Sequence, residues 1–133
     1  MPPDLQAASA WLRKADNDRQ SSKLLLTTDP PLTDTAAFHA QQSVEKLLKA
    51  FLTANGVVFE KIHDLEQLLN ECASIDSSFQ ELYDDVEPLT IFAVRFRYPG
   101  PADPTLEQVK SAIETVDRVW DAVVARLPPD VQP

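Results

Sequence analysis

The chain has 133 residues, of which 44% are hydrophobic and 25% are charged, proportions that are typical of a soluble globular domain. It carries 21 acidic and 12 basic residues, for a formal net charge of −9. A field of that sign repels phosphate backbones, which argues against broad nucleic-acid binding. A single cysteine, Cys72, excludes an internal disulfide. No Cys/His group has zinc spacing, so we expect a buried, unreactive thiol and neither a metal nor a cofactor.

Nothing in the sequence indicates export or insertion into a membrane. The opening stretch, MPPDLQAASAW, has neither the basic n-region nor the apolar h-region of a secretory signal. No apolar run approaches the roughly 20 residues that a membrane span needs. We therefore expect a cytoplasmic protein without a membrane anchor.

Hydrophobic spacings of three and four residues, interrupted by prolines, predict five helices. The first should cover residues 4–26 with Asp4 as its N-cap, and the prolines of TTDPPLTD end it. The second should cover residues 33–55, after which Gly56 takes a left-handed conformation. The third should cover residues 65–73, with Asp64 as its cap.

Two longer helices are predicted to follow. Ser77 and Ser78 should cap the fourth, which Pro88 should kink. Asp103 should cap the fifth, with Pro104 at its first position. The fold class is therefore all-α, an up-and-down bundle of four to five antiparallel helices. We expect one domain over residues 5–127 with short termini at 1–4 and 128–133; apolar surface on the last two helices is open to two interpretations, an oligomer face or internal packing.

The stretch FHAQQSVEKLLKAFLTANGVVFEKIHDLEQLL resembles the second helix, glycine loop and following helix of the HEPN family. RYP at residues 97–99, followed by a last long helix, is similar to a common bacterial and archaeal branch of that family. The resemblance covers residues 5–127. The matching positions of the longer stretch are Phe38, Gln41, Gln42, Glu45, Lys46, Lys49, Ala50, Gly56, His63, Asp64 and Leu65.

This resemblance implies a helical bundle that is often a homodimer. HEPN proteins are frequently encoded beside a minimal nucleotidyltransferase, and many such pairs act as toxin and antitoxin. Catalytic members are metal-independent RNases that use an Arg followed four to six residues later by a His, in a site shared by two subunits. Here no histidine follows Arg95 or Arg97, so the residue that transfers protons is missing and we assign no catalytic residue.

The segment AVRFRYPG, residues 93–100, is open to two interpretations. It is either a plain helix C-terminus, where the helix dipole favours cations, or a polar nook for a phosphate, nucleotide or partner. In the second case Arg95, Arg97 and Tyr98 would make the contacts. His63 either helps to cap the third helix or contacts a partner or nucleotide.

The polar residues of the second helix have mainly structural interpretations. We expect Gln41, Gln42 and Glu45 to form a buried polar network. Lys46 and Lys49 are expected on a solvated face, with pairs such as Glu45–Lys49 one turn apart.

Three functions remain in competition. The first is a non-catalytic or weakly catalytic dimeric module that binds a minimal nucleotidyltransferase, a nucleotide or both, in a toxin–antitoxin-like system. The second is a toxin-like, metal-independent RNase with a non-standard site of arginine and tyrosine. The third is a bundle that only assembles with itself. Transfer of AMP to Tyr98 by the partner is a further hypothesis, although Tyr98 does not lie in the family's Arg-x4-His-x-Tyr pattern.

Overall fold

The computed structural model describes residues 1–59, 64–95, 99 and 102–133, with residues 93–95 described by their backbone alone. Over these residues the chain forms five α-helices, one 3₁₀ helix and no strand. The helices are α1 (Pro3–Leu25), α2 (Thr33–Ala54), α3 (Leu65–Ile75), α4 (Tyr83–Arg95) and α5 (Leu106–Ala125), with the 3₁₀ helix Ser77–Leu82 before α4. The predicted all-α helical bundle is therefore confirmed.

Several helix ends follow the local sequence as predicted. The α1–α2 connection contains a cis peptide bond at Asp29–Pro30. Gly56, after α2, has a φ of 70°, a left-handed conformation that glycine adopts without a Cβ clash. The side chain of Asp64 caps α3, accepting hydrogen bonds from the backbone N–H groups of its first turn.

Three predicted caps are wrong, and two of them are those of α1 and α5. α1 begins at Pro3, so Asp4 lies in the first turn, where the helix dipole still favours a carboxylate. α5 is capped by Thr105 and not by Asp103. Thr105 and Gln108 form a capping box, in which each side chain accepts a hydrogen bond from the other residue's backbone N–H. That reciprocal pair satisfies two helix-end donors, which Asp103 could not do from two residues upstream.

The predicted fourth helix consists of two elements, and its cap is Asp76 rather than the two serines. The Asp76 side chain accepts from the backbone N–H of Ser78 at 3.0 Å, and the Asp76 carbonyl accepts from the N–H of Phe79 at 3.1 Å, three residues on. Such bonds define a 3₁₀ turn. The buried Phe79 and Leu82 are three residues apart, a spacing that fits both helix types. Downstream, α4 continues through Pro88, and the kink stays a prediction.

α2 is the central helix, since it contacts α1, α3, α4 and α5. Two buried serines set its register against α1. Ser22 Oγ donates to the carbonyl of Ala36 at 2.7 Å, and Ser43 Oγ donates to the carbonyl of Ala15 at 2.8 Å. The later residue of α1, Ser22, contacts the start of α2, and the earlier one, Ala15, contacts a residue further along α2. The two helices are therefore antiparallel. The fully buried apolar residues of α2 are Ala36, Ala37, Ala40, Val44, Leu47, Leu48, Ala50 and Leu52.

The C-terminal end of the chain packs back onto the bundle. Leu127 and Val131 are buried, and the backbone N–H of Gln132 donates to Ser9 Oγ of α1 at 3.3 Å. Among the described residues, no helix combines the length and apolar character required to cross a bilayer.

Candidate functional site

The side chains predicted to contact a phosphate, nucleotide or partner lie outside the part of the chain that the structure describes. His63, Arg97 and Tyr98 are outside the described residues. Arg95 ends α4, but its side chain is outside them as well. The polar nook formed by these residues therefore stays a prediction.

The polar row predicted on α2 lies mostly inside the protein. Gln41 and Glu45 are buried, at 3% and 6% exposure, and Gln42 is half-buried. Gln42 Nε2 donates to Gln41 Oε1 at 2.8 Å, so neighbouring side chains satisfy part of each other's hydrogen-bonding capacity. The network role of this row stays a prediction.

Lys49 is buried, at 5% exposure, so its expected place on a solvated face is wrong. Its Nζ lies 3.2 Å from Glu45 Oε2, one turn earlier, as the spacing had suggested. It also lies 5.3 and 5.7 Å from the ring centroids of Trp11 and Phe59. A carboxylate and two aromatic faces offset the cost of taking an ammonium group out of water. The rings could not be foreseen, since one belongs to α1 and the other follows α2.

A second polar cluster joins α1 to α2 and centres on Asp18, which is 8% exposed. His39 Nδ1 lies 2.8 Å from Asp18 Oδ1, and Lys46 Nζ donates to Asp18 Oδ2. His39 and Lys46 are two helical turns apart and share one face of α2. One buried carboxylate therefore holds both side chains against α1.

The geometry of His39 fixes the proton on one ring nitrogen. A carboxylate oxygen accepts hydrogen bonds, so His39 Nδ1–H donates to Asp18 Oδ1. The His39 side chain is 29% exposed, and its ring packs edge-on against Phe38 at 5.7 Å between centroids. A carboxylate and the imidazole that it orients are also two of the three members of a hydrolytic triad. Here the neighbouring cation, Lys46, is bound to the same carboxylate, and the cluster acts as an anchor between two helices.

Sequence reasoning singled out Lys46 of this cluster but not its partner. Asp18 lies 21 residues before His39 on another helix, and in the sequence it is one of several acidic residues of α1. The available signal was its position on the flank of the α1 apolar stripe, between the buried Ala15 and Ser22.

Two further observations limit the chemistry of the described residues. Burial, with a smaller effect from Glu71, raises the pKa of the Cys72 thiol to about 12, so this cysteine stays protonated and unreactive at neutral pH. Among the described residues, no group of three or more His, Cys, Asp or Glu side chains could hold a metal ion.

Comparisons with known proteins give one family match and one similar protein. The sequence profile of the HEPN domain matches residues 8–127. A protein of Methanocaldococcus jannaschii named as a "putative toxin" is 30% identical over 105 residues, which cover 74% of this chain and 67% of that protein. No solved structure matches the chain significantly.

Proposed function

The chain belongs to the HEPN domain family, and from this premise we propose that it is a toxin-like HEPN module that acts by binding. In this proposal it forms a homodimer, binds a minimal nucleotidyltransferase protein and takes a nucleotide, and it does not itself cleave RNA. The observation that carries the proposal is a family match over nearly the whole bundle combined with the absence of any histidine in residues 64–133.

The missing histidine matters because RNA cleavage needs a group that transfers protons near neutral pH. The chain has two histidines. His63 precedes both Arg95 and Arg97, whereas catalytic relatives place the histidine after the arginine. His39 is bound to Asp18 on the α1–α2 face. Tyr98 is a poor substitute, because a phenol ordinarily titrates near pH 10.

The toxin-like part of the proposal is supported by the relative from Methanocaldococcus jannaschii, whose name describes it as a toxin. The partner and nucleotide parts are supported by what is typical of the family. The formal charge of −9 also favours a partner with a basic face.

Co-purification tests this proposal. The chain would be co-expressed with any minimal nucleotidyltransferase encoded beside it, and the tagged complex would be measured by size exclusion with light scattering. We expect one species that contains a dimer of this chain and the nucleotidyltransferase. An unrelated acidic helical protein, co-expressed with the same nucleotidyltransferase, controls for charge alone. Separate elution of the two proteins, with this chain as a monomer, would contradict the proposal.

The same samples address the modification hypothesis. Mass spectrometry of the chain with and without the nucleotidyltransferase would show whether Tyr98 gains AMP. A Tyr98→Phe variant that still carries the added mass would move the modification to another residue. An unmodified chain would remove the hypothesis.

A second candidate function is a toxin-like RNase, because the relative is named as a putative toxin and catalytic members of the HEPN family are RNases. It would need Arg95 or Arg97 to stabilise the phosphate charge without a following histidine. Expression of the chain alone in a bacterial host separates the two candidates. Growth arrest that Arg97→Ala relieves favours the RNase, whereas unimpaired growth with the wild-type chain favours the binding module.

A further inference from the structure

A groove with a volume of about 250 Å³ lies between α3 and α4. Its floor includes Leu69 and Val86, which are buried, and its rim carries the exposed Glu66 and Glu87. The complete set of lining residues is Glu66, Leu69, Tyr83, Val86, Glu87 and Thr90. The groove thus combines an apolar base with a carboxylate on each side.

The charge around this groove is one-sided. Residues 64–94 contain eight acidic residues and no basic residue. Two of these acids pair with arginines: Nη2 of Arg118 in α5 lies 3.1 Å from Asp85 Oδ1, and Nε of Arg126, which follows α5, lies 3.0 Å from Asp76 Oδ2. Among the described residues, neither Glu66 nor Glu87 has a cationic partner. Within the part of the chain that the structure describes, the carboxylates of the rim are therefore left to pair with a cation of a partner.

Tyr83 adds no charge to the groove. Burial, together with the negative charge of Glu66, raises the pKa of its phenol, so the phenol is neutral at physiological pH. Its hydroxyl donates to Asn70 Oδ1 on α3. The electrostatic character of the groove therefore comes from the two glutamates.

The apolar floor and the two carboxylates of the groove limit the kinds of ligand that can bind there. A metal ion does not fit, since the described residues contain no group of three or more side chains able to hold one. An anion would meet two carboxylates. A lysine or arginine side chain has an apolar stem that can cover Leu69 and Val86, and a cationic head that can reach the rim. Arginine fits best, because its planar guanidinium pairs with carboxylates through two parallel hydrogen bonds.

We propose that the groove between α3 and α4 is a docking site for an arginine-bearing segment of a partner protein. The apolar floor receives the side-chain stem, and Glu66 and Glu87 receive the guanidinium group. This inference goes beyond the proposed function, because it holds for a basic partner of any kind and does not require a nucleotidyltransferase.

An NMR titration of the full chain tests the inference without a known partner. The probe is a short blocked peptide with two arginines one helical turn apart. The matched control peptide has citrulline in place of both arginines, which keeps the shape and removes the charge. We expect saturable shifts of the amide signals of Leu69, Val86 and Thr90 with the arginine peptide and none with the citrulline peptide.

Two double variants with equal net charge decide whether the groove is the site. Glu66→Gln/Glu87→Gln should weaken binding about tenfold, in line with the loss of two solvent-exposed ion pairs. Glu107→Gln/Glu114→Gln, which alters two exposed residues of α5, should leave the affinity within about twofold of wild type. Equal losses in both variants would show attraction to net charge alone and overturn the inference. Equal binding of the citrulline peptide, or no saturable shifts with wild type, would overturn it as well.

Discussion

The α1–α2 half of the molecule and the α3–α5 half differ in their net charge and in the burial of their charged side chains. Residues 1–63 contain seven acidic and seven basic residues, whereas residues 64–133 contain fourteen acidic and five basic residues. The whole formal charge of −9 therefore belongs to the second half. In the first half, charged side chains such as Asp18 and Lys49 are buried and paired. In the second half, many carboxylates are exposed.

This difference separates charges that hold the fold from charges that face outward. The pairs of Asp18 with His39 and Lys46 fix α1 on α2, because a buried charge without its partner is strongly destabilising. Exposed carboxylates in the second half add little to stability and supply a surface that a basic partner can recognise. The two halves meet where Arg19 of α1 binds Asp117 of α5 at 2.8 Å and covers the ring of Trp120 at 4.8 Å.

The largest expected effect comes from the core that both halves share. Leu48 of α2 is fully buried, so Leu48→Ala should destabilise the protein by about 2–5 kcal/mol through the lost contacts and the cavity. Urea unfolding would be followed by the fluorescence of Trp11 and Trp120, one in each half. We expect the two tryptophans to report one unfolding transition, with its midpoint at a lower urea concentration than in the wild type.

Leu24→Ala is the matched control for that substitution. Leu24 is 67% exposed on α1, so its truncation should change stability by less than about 0.5 kcal/mol. Two separate unfolding transitions in the Leu48→Ala variant would contradict the prediction, because they would show that the two halves do not share one cooperative core.

The next effect is expected at the anchor between α1 and α2. Asp18→Ala should destabilise the protein by about 2 kcal/mol, because His39 and Lys46 lose their shared acceptor in a half-buried setting. Chemical denaturation measures the change. Glu66→Ala, which removes a carboxylate from the exposed surface of the second half, is the control and should cost less than about 0.5 kcal/mol. Equal costs at the two positions would contradict the division of roles.

A smaller effect, of opposite sign, is expected from crowded carboxylates. Glu87 has Asp84 one helical turn before it on α4, and like charges at that spacing repel. Glu87→Gln should therefore stabilise the protein by a few tenths of a kcal/mol at low ionic strength. The gain should vanish in high salt, where exposed charges are screened. Denaturation at two salt concentrations checks this, and a gain that persists in salt would point to packing.

The smallest effect is expected in acid, at Asp76. Hydrogen bonds from the side chain and backbone of Ser78, with the nearby Arg126, lower its pKa below the ordinary value of 3.8. A lowered folded-state pKa stabilises the protein above pH 3.8, and that contribution is lost as the pH falls through the folded-state value. The stability difference between wild type and Asp76→Asn should therefore shrink below pH 4. A difference that stays constant down to pH 2 would rule out this linkage.

Local chemistry made much of the fold predictable. Gly56 and Asp64 act through their own backbone or their next few neighbours, so their roles follow from the sequence. The cap of α5 was predicted at Asp103 but lies at Thr105, because Gln108 supplies the reciprocal hydrogen bond of a capping box to Thr105. The 3₁₀ helix was missed because the spacing of Phe79 and Leu82 fits two helix types.

The candidate site was less predictable, because its contacts join distant parts of the chain. Asp18 becomes an anchor only once α1 lies antiparallel to α2. The burial of Lys49 requires rings from two other segments. The acidic groove is created by the approach of α3 to α4, and no motif marks it. His63, Arg97 and Tyr98, the residues chosen by family resemblance, lie outside the described residues.

Incubation of purified protein with total RNA, in the presence of a metal chelator, tests the central claim most directly. The account holds that this HEPN protein acts by binding, since no histidine follows its arginines. It predicts intact RNA after prolonged incubation, with no difference between wild type and Arg97→Ala. Cleavage by the wild-type protein that disappears in Arg97→Ala would contradict the account.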